Sequence, residues 1–153
     1  MVNLQQQYRP ESYPILQSRS PRIIIVDNDK ILCERISRVF WKLGFNHKIY
    51  HQVDDIMPIA ENFNPDLVLT EYLLPWLTGG ELCSQLRMQR HTCEIPVIMY
   101  SSFPKVLIPS NACDAFLQKP FTINTLLRTV NCFLKDCSQL RQHAPVSPRF
   151  DLN

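Results

Sequence analysis

The chain has 153 residues of which 45% are hydrophobic, a size and composition that suit one compact domain with a full core. Lys and Arg number 16 against 14 Asp and Glu, and the signs are interspersed, so no broad basic field points to nucleic acid. No apolar run approaches the ~20 residues that span a bilayer, and no N-terminal apolar segment reads as a signal peptide, so a soluble, cytoplasmic protein is expected.

Residues 1–20 are polar, Gln-rich and broken by two prolines, and read as a flexible arm in which Tyr13, Ile15 and Leu16 could dock. The run RIIIV, Arg22 to Val26, is β-branched and continuous, as a strand buried on both faces requires. Ile31, Ile36, Val39, Phe40 and Leu43 then recur at helical spacing, and Gly44 supplies a C-terminal stop. Asn46 to Tyr50 is half polar, which places it near an edge. Asp54 or Asp55 can cap a short helix reaching about Glu61, with Pro58 tolerated only in its first turn.

Asp66 to Thr70 is the next strand, and Gly80 to Gln89 a helix with Leu82, Cys83 and Leu86 facing inward. Ile95 to Tyr100 is a strand opened by Pro96, and Ala115 to Gln118 a short one. Thr122 caps a long final helix carrying Leu126, Leu127, Val130, Phe133 and Leu134. The domain is therefore expected over 21–141, with 142–153 a polar tail.

Six cysteines (33, 83, 93, 113, 132, 137) form no CxxC pair and read as reduced structural residues in a reducing cytosol. Cys33, Cys83 and Cys132 fall in amphipathic patterns as small apolar side chains.

Strands alternating with helices through short loops imply a parallel sheet covered on both faces, with its site at the carboxyl ends of the strands. Those ends carry Asp27-Asn28-Asp29, Glu71, Ser101-Ser102 and Lys119-Pro120. Grouped carboxylates can hold a hard cation such as Mg²⁺, and a lysine and a hydroxyl suit a phosphoryl group opposite it. Asp29 also reads as an N-cap for the first helix.

Four segments in this order, IIIVDND, PDLVLTEYLLPWLTGGELC, IPVIMYSS and AFLQKPF, resemble the receiver domain of two-component response regulators over about residues 20–140. The resemblance implies a flavodoxin-like (βα)5 doubly wound parallel sheet in strand order 2-1-3-4-5. It implies that Asp27 and Asn28 stand at the two metal-binding acid positions and Glu71 at the phosphoacceptor position. Leu73 would offer a backbone carbonyl to the metal, and Pro75 and Gly79 would shape the loop. Ser101 and Phe116 would take the two switch positions, and Lys119, followed by Pro120, the phosphate-pairing position.

Two residues depart from that pattern. Glu71 carries its oxygens one methylene further into the cleft than an aspartate, and a misplacement of about 1 Å can cost roughly 10²-fold in a reaction of this kind. Asn28 removes a negative charge that a hard dication would use. Asp27, Glu71 and Lys119 sum to only −1, so the cleft could be satisfied without metal, leaving no cofactor or weak Mg²⁺. The segment from Ser101 to Ala115, with Pro104 and Pro109, is short, so the fourth helix is expected to be shortened or replaced by a loop. Core filling is the favoured reading of Val106, Leu107 and Ile108, and exposure of the three would mark a partner site.

The reading favoured by the sequence is a stand-alone pseudo-receiver without catalytic residues, acting by binding other proteins independently of phosphorylation. Its partners would be a histidine kinase, a regulator or an output protein, with a homodimer through the final helix left open and neither nucleic acid nor membrane bound directly. The alternative is a phosphorylatable single-domain response regulator in a phosphorelay. A remote third is a phosphohydrolase of the haloacid dehalogenase type using Asp27 and Asp29, which would need a late acidic pair where only Asp136 and Asp151 remain.

Overall fold

The computed structural model describes residues 19–142, with side chains through 134. The expectations for Tyr13, Ile15, Leu16, the tail beyond Gln142 and the side chains of Asp136 and Cys137 lie outside the described residues. Five strands, β1 (Arg22–Val26), β2 (Asn46–Tyr50), β3 (Leu67–Glu71), β4 (Val97–Ser101) and β5 (Ala115–Gln118), form one parallel sheet in the order β2-β1-β3-β4-β5. Helices α1 (Lys30–Lys42), α2 (Met57–Phe63), α3 (Gly79–Arg87) and α4 (Ile123–Gln142) alternate with the strands. Between β4 and β5 the place of a helix is taken by a single 3-10 turn, Lys105–Leu107.

Side-chain alternation in the strands separates two cores. Ile24, Val26, Val68 and Val97 face α2 and α3, whereas Ile23, Ile25, Leu67, Leu69, Ile98 and Tyr100 face α1 and α4. β1, β3 and β4 are covered on both sides, which is why they read as unbroken apolar runs, while edge strand β2 keeps Asn46 and Lys48 exposed.

Local chemistry places the helix ends. Asp29 accepts from the Leu32 amide as the N-cap of α1, and Gly44 ends that helix with φ of 74°. Asp55 accepts from the Met57 amide at the start of α2. Thr78 and Glu81 form a reciprocal capping box on α3 that sequence reading overlooked. Thr122 accepts from the Thr125 amide at the start of α4.

Several core expectations are corrected. Ile31 and Leu43 are exposed, because α1 turns Cys33, Ile36 and Phe40 to the sheet and those two lie beyond that arc. Cys132 is exposed on α4 for the same reason. Val106 and Leu107 do not fill the core: they stand 89% and 60% exposed, and only Ile108, at 8%, turns inward. One tight turn has too few residues to present an apolar stripe. Cys33, Cys83, Cys93, Cys113 and Cys132 are free thiols.

Candidate functional site

The alternation that sorts the core also assembles the site. Positions two beyond Ile25, Leu69 and Leu117 are Asp27, Glu71 and Lys119, so all three fall on the α1/α4 face at the carboxyl edge. Lys119 Nζ lies 2.7 Å from Glu71 Oε2 and 3.7 Å from Asp27 Oδ2. The ammonium is also 5.1 Å from the centre of the Tyr100 ring, within cation–π range.

Glu71 is committed on both oxygens. Oε1 accepts from the amides of Tyr72, at 2.8 Å, and Leu73, at 3.1 Å, while Oε2 faces Lys119. The carboxylate thus holds the start of the β3–α3 loop from inside. That loop is closed by a bridge between Leu73 and Thr78 and by the Gly79 amide donating to the Tyr72 carbonyl at 2.7 Å. Position 79 favours glycine, since a Cβ there would stand 2.6 Å from the Glu71 carbonyl oxygen and the backbone would have to shift. Leu73 and Pro75 are exposed on its outer side.

Asp27 is fully buried. Its Oδ1 accepts from the Asp29 amide at 2.8 Å, and its backbone carbonyl accepts from His51 Nδ1 at 2.8 Å and the Cys33 thiol at 3.5 Å. Burial pushes the Asp27 carboxyl above its ordinary range, against the pull of the Asp29 amide, Lys119 and the Tyr100 hydroxyl. Cys33 is pushed up to about 12 by burial and by neighbouring Asp27 and Asp29, so its thiol is inert as a nucleophile. Burial alone would lower Lys119, but its hydrogen bond to Glu71 and the charges of Asp27 and Glu71 raise it overall.

Asn28 is exposed, and Pro120 follows Lys119 through a cis peptide bond. Ser101 and Phe116 belong to the opposite parity, with Met99. Ser101 is buried, and its hydroxyl accepts from the Phe103 amide at 3.1 Å. Phe116 is partly buried on β5. Of the residues singled out from sequence, then, Asp27, Glu71 and Lys119 form one ionic cluster, while Ser101 supports the neighbouring loop.

The oxygens that could hold a metal are largely engaged. Among the described residues no group of three or more His, Cys, Asp or Glu is placed to hold one. Among the described residues, Asp27 Oδ2 is a buried carboxylate oxygen that accepts no hydrogen bond, with the Lys119 ammonium 3.7 Å away.

Tyr100 is the residue sequence reading missed. It lies in an apolar run, where a phenol ring reads as core, and only its pairing opposite Glu71 in the β3–β4 register marks it as a neighbour of the acids.

The sequence pattern described as response regulator receiver domain matches residues 23–131. Over 130 residues the chain is 28% identical to the DNA-binding dual master transcriptional regulator RpaA of Synechocystis sp., covering 81% of this chain and 53% of that protein. It spans about half the length of the curated relatives it matches. A CheY-like receiver domain protein from Methanospirillum hungatei JF-1 superposes with a TM-score of 0.71 at 23% identity, covering 79% of this chain and 98% of that one. The receiver domain of the Francisella response regulator 1452 gives 0.65 at 25% identity, covering 76% and 98%.

Proposed function

This chain belongs to the response regulator receiver domain family of two-component signalling, and on that premise we propose that it acts as a pseudo-receiver, a protein-interaction module whose state is set without phosphorylation. Receiver domains are signalling modules that work with kinases and output proteins. The present domain would keep those kinds of partner while replacing the transferable phosphoryl group with a fixed side-chain charge.

The observation that carries this reading is the full engagement of Glu71. A carboxylate that attacks a phosphoryl donor needs a free oxygen aimed at the cleft, and here one oxygen is ion-paired and the other holds two amides. Asn28 in place of an acid supports the same conclusion, because the remaining donors offer little charge to a hard dication. We assign the site no resident cofactor. The Ser101 hydroxyl accepts from Phe103, which favours an inert ion pair over a glutamate that mimics the phosphorylated state. Asp29, the second acid of a haloacid dehalogenase reading, is taken up as the cap of α1, and that reading leaves the Glu71–Lys119 pair without a purpose.

The partner surface would be the remodelled segment between β4 and β5 with β5 and α4. Among the described residues no helix is long and apolar enough to cross a membrane.

The test is incubation with acetyl phosphate and Mg²⁺ followed by intact-mass measurement. No adduct is expected; a stable gain of about 80 Da, one phosphoryl group, that disappears in Glu71→Gln would overturn the reading.

A further inference from the structure

Over the whole chain the charges nearly balance, at a net +2. Folding sorts them by side of the sheet. The outward face of α1 carries Lys30, Arg35, Arg38 and Lys42 against a single acid, Glu34, and all five are exposed. Helical spacing forces this grouping: Cys33, Ile36 and Phe40 turn to the sheet, which leaves the opposite arc to the charged residues. Among the described residues none of the four cations joins an ion pair. The other side of the sheet has the other sign. There α2, α3 and their flanking turns expose Asp54, Asp55, Glu61, Glu81 and Glu94. Of the two arginines between 54 and 94, Arg87 is taken by Asp114 at 2.6 Å and the other is Arg90, while His91 lies 3.2 Å from Glu61.

Each side also exposes a large apolar side chain. Trp41 stands 79% exposed on the basic face, and Met88, at the end of α3, stands 80% exposed on the acidic one. Trp and Arg are the residues that most often anchor interfaces, and Met adapts to what it meets. α1, α2 and α3 each follow a parallel strand, so all three begin at the carboxyl edge of the sheet and run back toward its amino edge. The two faces therefore correspond end for end. Toward the carboxyl edge Lys30 and Arg35 answer Asp54 and Asp55, and toward the amino edge Lys42 and Trp41 answer Glu61 and Met88.

From this correspondence we propose that the partner of the α1 face is a second copy of this chain, whose acidic α2–α3 face stacks on it in the same orientation. The contact joins two different surfaces, so every copy keeps a face of each sign open to the next and the assembly can grow. Exposed ion pairs contribute little each and are screened by salt, so the association is weak and strongest at low ionic strength. It goes beyond the pseudo-receiver reading and does not depend on the state of Glu71. It also differs from a homodimer through the final helix.

Sedimentation velocity on the full chain tests the stack. At about 20 mM salt the sedimentation coefficient should rise with protein concentration, and at about 0.5 M it should not, because the screening length falls to a few ångströms. Arg35→Gln/Arg38→Gln weakens the basic face and Asp54→Asn/Glu61→Gln the acidic one, all at exposed positions. Each variant alone should remain monomeric. Mixed in equal amounts the two should pair, since one keeps its acidic face and the other its basic face. Trp41→Ser alters no charge and should weaken the self-association of the otherwise unchanged chain about tenfold, the scale of one interface anchor. A wild-type chain that stays monomeric at low salt would overturn the proposal, as would association unchanged in both charge variants or a mixture that fails to pair. Phosphatidylserine vesicles provide the competing occupant: binding through Arg35 and Arg38 by a chain that does not self-associate would assign the α1 face to a lipid surface and sink the stack. None of these outcomes bears on phosphoryl adduct formation, which decides the reading of Glu71 separately.

Discussion

The carboxyl end of β3 and the connection between β4 and β5 are neighbours, joined by the Tyr72–Phe103 ring contact with centroids 5.5 Å apart. They solve opposite problems. At the end of β3 a buried acid is satisfied on every oxygen, by two amides and one ammonium. In the connection, a Val and a Leu that could have been buried are left in water, and one Ile holds the segment down. The first region is held by directional polar contacts that tolerate little displacement. The second is held at separate points along its length: the Ser101 hydroxyl accepting from the Phe103 amide, Gln118 Oε1 accepting from the Lys105 amide, the side chain of Ile108, and Asp114, which accepts from the Val97 amide and pairs with Arg87. A domain can therefore keep a rigid cleft beside a surface free to diverge, because different forces hold the two.

The largest effect that would break this contrast comes from removing the cation. Lys119→Met leaves Glu71 and Asp27 without their shared cation and should cost about 3 kcal/mol in urea denaturation, the lower end for a broken buried pair, since 19% of the lysine side chain remains exposed. Lys119→Met/Glu71→Gln should recover much of that loss. If the single variant is as stable as wild type, the cleft is not held by charge.

Raising the pH performs the same removal reversibly. The folded Lys119 value lies above its ordinary 10.5, so its stabilising contribution is complete below that value and is lost as pH rises through the raised folded one. Melting temperatures between neutral pH and strongly alkaline pH should fall more steeply for wild type than for Lys119→Met in the range above 10.5.

Of the connection's three consecutive apolar residues, Val106, Leu107 and Ile108, one should matter to stability. Ile108→Ala is expected to cost about 2 kcal/mol, as for a truncated core residue. Val106→Ser and Leu107→Ser should change stability by less than about 0.5 kcal/mol. Equal losses at 106 and 108 would mean that the segment packs as a unit. Between the two regions lies Gly79→Ala, whose methyl group would meet the Glu71 carbonyl; a cost of about 1–2 kcal/mol is expected, measured by thermal melting.

Much of the sheet was legible because buried strands write themselves as apolar runs. The limits read for the strand after Pro21 and for Ala115–Gln118 coincide with β1 and β5, and strand-end polarity marks Asp27, Glu71 and Lys119, which the fold brings together. Helical faces were harder to read. Ile31 and Leu43 share the spacing of the core residues but miss the arc that meets the sheet. Val106 and Leu107 show the limit most plainly, since an apolar tripeptide has no period and its burial depends on where two flanking strands leave it. Tyr100 escaped for another reason: hydropathy reads its ring, and only the sheet register sets it beside Glu71.

The Glu71–Lys119 contact has a consequence for time. A phosphorylated aspartate is an acyl phosphate that hydrolyses, so a receiver built on one carries a clock as well as a switch. Two side chains at 2.7 Å have no half-life. On the reading proposed above, nothing in this cleft decays, and the message it delivers can vary only with how many copies of the chain are present and with what already occupies their surfaces.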